Sequence, residues 1–190
     1  MREPVSDGEL EALVQTLAAY RVDYLLIGGQ AARLHGVQHP SYDIDLVPRR
    51  STENLQRLCD ALNLLHPRWL LNEGPGGIVE ARIDGRWLEP RHFPPTGPAV
   101  GLVTRLGVID VVAEAAAVGG HDAWARRATV GRVGAATVRI GSLEDLIASK
   151  EAAGRPKDYA TLPALRELLA LQRRDDRSKV RDPADGPADE

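Results

Sequence analysis

Residues 25–47 read LLIGGQAARLHGVQHPSYDIDLV, and this stretch decides the fold. Tyr24, Leu25, Leu26 and Ile27 form a short apolar run that stops at Gly28 and Gly29, the pattern of a buried strand closed by a turn. Gln30 to His35 then reads as a helix ending at Gly36, and Asp43 to Val47 as a second strand that Pro48 ends. Side chains alternate along a strand, so Asp43 and Asp45 leave one face while Ile44 and Leu46 leave the other. Two carboxylates sharing a small volume repel, and one is pushed toward protonation. A divalent cation, which takes oxygen ligands, removes that repulsion, so a magnesium site is the natural resolution. The glycine pair adds backbone N–H groups beside a helix start, which suit phosphate oxygens, although Gly-Gly also simply makes tight turns.

Outward from this stretch, Leu10, Leu13, Val14 and Leu17 have helical spacing behind a capping box of Ser6 and Glu9. Ser51 opens a leucine-rich helix to about Leu65, in which Cys59 shares a face with Leu55, Leu58 and Leu62 and reads as core. Within the Gly- and Pro-rich residues 73–98, Asp84-Gly85 predicts a hairpin between Ile78–Ile83 and Arg86–Leu88, followed by a loop at FPPTGP. Gly107 to Val112 is a further buried strand in which Asp110 stands between Ile109 and Val111. Alone, Asp110 reads as a turn or cap residue; if its strand neighbours Asp43 to Val47, three carboxylates converge. Ala128 to Ile140 holds one or two strands, Ser142 caps a helix, and a last helix runs from about Lys157 to Gln172. On the inward stripe of the Ser142 helix, Lys150 either meets an anion or suits the helix end as a cation.

The 190 residues suit one domain, taken as 1–174, with 175–190 as a disordered acidic tail. That tail carries six acids and three bases, which accounts for the whole net charge of −3. The rest is balanced, so charge permits a nucleic-acid partner without demanding one. A single cysteine excludes an internal disulfide and any zinc site built from cysteines. No apolar run spans a bilayer, and the polar start MREPVSDGEL predicts a cytoplasmic protein with no membrane partner.

The stretch LLIGGQAARLHGVQHPSYDIDLV with the downstream GVIDVV resembles the nucleotidyltransferase superfamily: hydrophobic-Gly-Gly/Ser, a spacer, Asp-hydrophobic-Asp/Glu, and a third strand carboxylate. The Ala-rich helix, His35-Gly36 and SLEDLIASKEAAGRPKD look most like the AbiEii/MenT-type nucleotidyltransferase toxins of bacterial toxin–antitoxin pairs, over residues 24–160. One departure is His39, where the family usually shows an arginine with its bidentate fork; Ser41 fits the family's Thr or Ser.

The resemblance implies an α+β fold with a mixed β-sheet core flanked by helices and closed by C-terminal helices. It implies a two-metal Mg2+ site on Asp43, Asp45 and Asp110, and a nucleotide held by Gly28, Gly29, Ser41, Arg155 and Lys157. Lys150 and Asp158 complete the catalytic set, Asp158 reading equally as a helix cap. The donor would be a pyrimidine nucleotide such as CTP and the acceptor the 3′ end of tRNA, with Arg49, Arg50, Arg57, Arg126 and Arg127 as an RNA track or as ordinary surface charge. The partner would be an antitoxin, of a kinase-like kind if it phosphorylates Ser41. A small-molecule nucleotidyltransferase of the antibiotic-modifying kind, with the FPPTGP loop, Trp87 and Phe93 lining its acceptor pocket, and a non-catalytic binding module on the same fold are the alternatives.

Overall fold

The computed structural model describes residues 3–74, 77–83 and 87–180. Chain order is α1 (Asp7–Ala19), β1 (Tyr24–Ile27), α2 (Gly28–Leu34), β2 (Asp43–Pro48), α3 (Thr52–Asn63), β3 (Arg68–Gly74), β4 (Gly77–Ala81), β5 (Val100–Thr104) and β6 (Gly107–Val111). There follow α4 (His121–Ala125), β7 (Thr129–Val133), β8 (Ala136–Ile140), α5 (Leu143–Ala153), α6 (Pro156–Tyr159) and α7 (Leu162–Val180). The strands form one mixed sheet of order β4-β3-β5-β6-β2-β1-β8-β7. Among the described residues, only β1 with β8 and β2 with β6 pair in parallel. This is the α+β architecture expected from the sequence.

Local chemistry explains the central elements. All four residues of β1 are buried, so it reads as an unbroken apolar run rather than an alternating one. In β2 the alternation is real: Ile44 and Leu46 are fully buried in the core that also takes in Leu13 and Leu17 of α1 and Leu58 and Leu62 of α3. Each such side chain contributes roughly 1.5–3 kcal/mol by burial, which fixes the register and turns Asp43 and Asp45 to the other face. The Ser6–Glu9 capping box starts α1 as predicted, and Ser51 and Ser142 cap α3 and α5. Cys59 is wholly buried, and burial pushes its thiol up to about 12, as befits a core residue.

Two expectations are corrected. The hairpin lies one element earlier, between β3 and β4, and the predicted turn residues Asp84 and Gly85 lie outside the described residues. Trp87 and Leu88 belong to no strand; instead the Asn63 side chain brackets the Leu88 backbone, accepting from its N–H at 2.8 Å and donating to its carbonyl at 3.2 Å. An amide side chain thus replaces a strand partner. At the C-terminal end, residues 175–180 of the expected tail are helical: no proline or glycine interrupts the chain before Pro183, so α7 continues past Gln172 to Val180. Residues 181–190 lie outside the described residues.

Candidate active site

The register of the central strands lines up the acidic residues. Asp45 stands opposite Ile27 of β1 on one side and opposite Asp110 of β6 on the other, with Asp43 two residues along β2 on the same face. The condition set by the sequence, that the two aspartate strands be neighbours, is met. Burial, then the charges of Asp43 and Asp110, push the Asp45 carboxyl up to about 7, and Lys157 and Arg155 offset this only in part. The cavity they share is lined by the acids Asp43, Asp45, Asp110, Glu114 and Asp158 and by fewer fixed cations, Lys150, Arg155 and Lys157.

Space explains the glycines more directly than a helix start does, for α2 has only seven residues. A Cβ on Gly28 would stand 1.9 Å from Asp45 Oδ2, and one on Gly29 would stand 2.3 Å from Ser41 Oγ. Gly28 also holds φ +64°, which disfavours any other residue. The pair lets the β1–α2 turn pass against the carboxylates. Ser41 is buried, with its hydroxyl donating to the Asp43 carbonyl at 3.1 Å and its own carbonyl accepting from the Val5 N–H. His39, exposed, donates from Nδ1 to its neighbour's carbonyl, Pro40 O, at 2.9 Å, while His35 Nε2 donates to Gly141 O at 2.8 Å and ties α2 to the end of β8.

The cations arrive from the C-terminal helices. Gly154, in the left-handed region, ends α5, and Pro156 opens α6, so the chain reverses sharply over the strand ends. Lys157 Nζ then sits 3.2 Å from Asp43 Oδ2. Lys150 faces inward as its stripe predicts, but the anion it meets is Asp158, at 3.2 Å. Arg155 Nε donates to the other oxygen of Asp158 at 2.7 Å. Burial works against the charge of Asp158, yet Arg155 and Lys150 together hold it below the usual carboxylate range. Only 1% exposed, Asp158 is a clamp for two cations rather than a group open to a ligand.

Gly28, Ser41, Asp43, Asp45, Asp110, Lys150 and Lys157 all line one cavity of about 570 Å³, together with Gly29, Arg155 and Asp158. The structure thus brings together every site residue read from the sequence. Gly97 and Pro98 of the FPPTGP loop also line the cavity, as the antibiotic-type alternative expected, whereas Ala99, Glu114, Ala115 and Ala116 were not foreseen, because nothing local places the small residues after Val112 beside the aspartates. Trp87 is exposed and Phe93 buried, and neither lines this cavity.

An all-oxygen donor set with excess negative charge fits a hard divalent cation such as Mg2+. Among the described residues no three acidic, His or Cys side chains already form a closed metal-holding group, and Asp43 is turned onto Lys157. The expected RNA track is elsewhere. Arg49 and Arg50 follow β2 at the end of the sheet opposite the aspartates, Arg49 on Asp23 and Arg57 on Glu53, while Arg127 pairs with buried Asp145. No helix among the described residues is long and apolar enough to cross a membrane.

The chain matches no family model and no curated protein. Its fold is that of solved nucleotidyltransferases. It superposes on the lincosamide antibiotic adenylyltransferase LnuA, in a lincomycin-bound crystal structure, with a TM-score of 0.58 and 13% identity, covering 87% of this chain and 99% of that one. It is similar also to the antibiotic-resistance factor ANT(2'')-Ia, with a TM-score of 0.50 and 16% identity over 92% of this chain and 95% of that one.

Proposed function

We propose that this chain is a Mg2+-dependent nucleotidyltransferase that moves a nucleoside monophosphate from a triphosphate to a hydroxyl of a small organic acceptor. The observation that carries the proposal is the row of Asp45 and Asp110, with Asp43 beside it, lining one cavity with Lys157, which reaches Asp43, and Arg155. Asp43, Asp45 and Asp110 would hold Mg2+, which when bound neutralises the phosphates and draws charge from the α-phosphorus. Lys157, Arg155 and the turn at Gly28 and Gly29 would orient the triphosphate, while the Asp158 clamp holds Lys150 and Arg155 in place. The acceptor oxygen attacks the α-phosphorus and its proton passes to Asp110. A new P–O bond forms as the bond to the β-phosphate oxygen breaks, and pyrophosphate leaves.

The acceptor side supports a small molecule. Apart from Glu114, the lining there is of small residues, Gly97, Pro98, Ala99, Ala115 and Ala116, the cavity has the size of an ordinary ligand pocket, and the fold spans nearly the whole of an adenylyltransferase solved with lincomycin bound. The toxin reading, with CTP as donor, the tRNA 3′ end as acceptor and an antitoxin as partner, rests on the resemblance of residues 25–47 and 142–158. Against it, Arg49, Arg57 and Arg127 of the proposed RNA track are held in ion pairs with Asp23, Glu53 and Asp145. In either reading the chain as far as the end of α7 acts as one nucleotidyltransferase domain, the boundary expected at 174 moving to Val180. Incubation with each α-labelled nucleoside triphosphate, Mg2+ and either lincosamide- and aminoglycoside-type compounds or total tRNA separates them. Label in a low-mass product supports the first reading; label in RNA replaces it with the second.

A further inference from the structure

On the side of Asp110 away from Asp45, β5 pairs with β6 and sets Gly101 directly opposite Asp110. Directly opposed residues in neighbouring strands project from the same face, so a single row runs Ile27, Asp45, Asp110, Gly101 across β1, β2, β6 and β5. The last place in that row has no side chain. Gly101 does not take the left-handed conformation that would require a glycine, and a glycine inside a strand weakens it. Its backbone gives no reason for it, whereas its surroundings do. A Cβ at this position would stand 3.3 Å from Asp110 Oδ1 and 3.0 Å from both Cβ and Cδ2 of Leu70. The first contact would press on the carboxylate and the second on Leu70; because the pairing of β5 with β6 fixes where the Cβ stands, easing the Leu70 contact leaves the one on Asp110 in place.

We infer that Gly101 is a positioning residue for Asp110: its missing side chain leaves the flank of the carboxylate open, so that Asp110 stands in line with Asp45. The inference rests on the reading of Asp110 as a metal-holding, proton-accepting group. A few tenths of an ångström matter here because oxygen ligands serve a small cation only within narrow distance limits. The rival explanation is that Gly101 merely seats Leu70, and the two separate cleanly in a double-variant cycle.

The experiment compares wild type, Gly101→Ala, Leu70→Ala and the double variant. Two quantities are read: Mn2+ affinity in the presence of a non-hydrolysable triphosphate analogue, by calorimetry without turnover, and kcat and KM for transfer. Gly101→Ala is expected to weaken Mn2+ binding and lower kcat by about tenfold, the lower bound for perturbing a group that orients a metal ligand, with the triphosphate KM little changed. Leu70→Ala alone should be near wild type, and the double variant should retain the defect. The double variant removes the Leu70 Cδ2 contact and keeps the Cβ contact at 3.0 Å, so denaturant unfolding of all four proteins is measured alongside to separate misfolding from a displaced Asp110. Gly101→Ala equal to wild type, or full recovery in the double variant, overturns the inference. If wild type itself neither binds Mn2+ with the analogue nor transfers label, the proposed function falls first, and the two failures are told apart.

Discussion

Strands β1 and β2 carry charge at both ends. Where Asp23 precedes β1 and Arg49 follows β2, each acid has an opposite neighbour: Arg49 Nε donates to Asp23 Oδ2 at 2.5 Å, and His121 lies between Asp23 and Asp122 at 3.1 and 2.9 Å. Asn54 completes this end by bonding both the N–H and the carbonyl of Asp23. Burial works against the charge of Asp23, but Arg49 and His121 outweigh it and hold its carboxyl below the usual range. At the other end Asp45 is pushed the opposite way, to about 7, by burial and by Asp43 and Asp110. Charge density alone does not distinguish the two ends; balance does. The Asp23 end is a structural clamp fastening α4 to the sheet, and the Asp45 end is proposed to be completed by a cation and a triphosphate.

The largest effects should come from exchanging these roles. Asp45→Asn is expected to abolish transfer while raising the stability of the metal-free protein by about 1 kcal/mol, the order of one pKa unit's worth of relieved repulsion. His121→Ala should do the reverse, costing about 2 kcal/mol through lost packing of a buried ring and the loss of its hydrogen bonds to Asp23 and Asp122, with transfer retained. Denaturant unfolding beside the labelled-nucleotide assay reads both. Equal stability changes of the same sign would break the contrast.

The pH dependence follows with opposite signs at the two ends. An acid whose pKa is raised on folding holds its proton more tightly in the folded state, so stability is full below the ordinary carboxylate range and falls as pH rises through about 7 for Asp45. Asp23 and Asp122 are held low, so their contribution is present above the ordinary range and is lost as pH falls beneath it. Metal-free stability, read by thermal unfolding, should therefore fall between the ordinary carboxylate range and about pH 7 through Asp45 and fall again at more acid pH through Asp23 and Asp122. Asp45→Asn should flatten the first fall and leave the second, and Asp23→Asn should reduce the second and leave the first.

The smallest effect concerns Lys157, which occupies Asp43 in the absence of metal. Lys157→Met should strengthen Mn2+ binding without nucleotide by roughly threefold, the scale of a solvent-screened ion pair, and weaken triphosphate binding in the same titrations. Weakening of both would make Lys157 structural.

Much of this was legible in the chain. Alternation in Asp43–Leu46, the stop at Gly28 and Gly29 and the lone Asp110 are local signals, and the core side chains beneath them leave one register. The Ser142 helix likewise revealed an inward Lys150 by its spacing. What it meets was not readable, because Asp158 is brought to it only by the reversal through Gly154 and Pro156. Strand β3 was hidden because Arg68–Gly74 lacks a clean alternation, and β4 therefore lost its partner, which moved the predicted hairpin one element along. Gly101 and the small-residue wall depend on pairings between distant strands. The same is true of the arginines: their number suggested a surface, and only the register of β1 with β2 places Arg49 and Arg50 at the far end from the carboxylates.

The most direct test of nucleotidyl transfer at the aspartate row supplies wild type and Asp43→Ala with each α-labelled nucleoside triphosphate, Mg2+ and a bacterial extract holding both small molecules and RNA. Product label and released pyrophosphate are then measured together. The account predicts both from wild type in equal amounts, with at least one nucleotide, and neither from Asp43→Ala. Label transfer by a well-folded Asp43→Ala at the wild-type rate, or no product from wild type with any nucleotide, would contradict it.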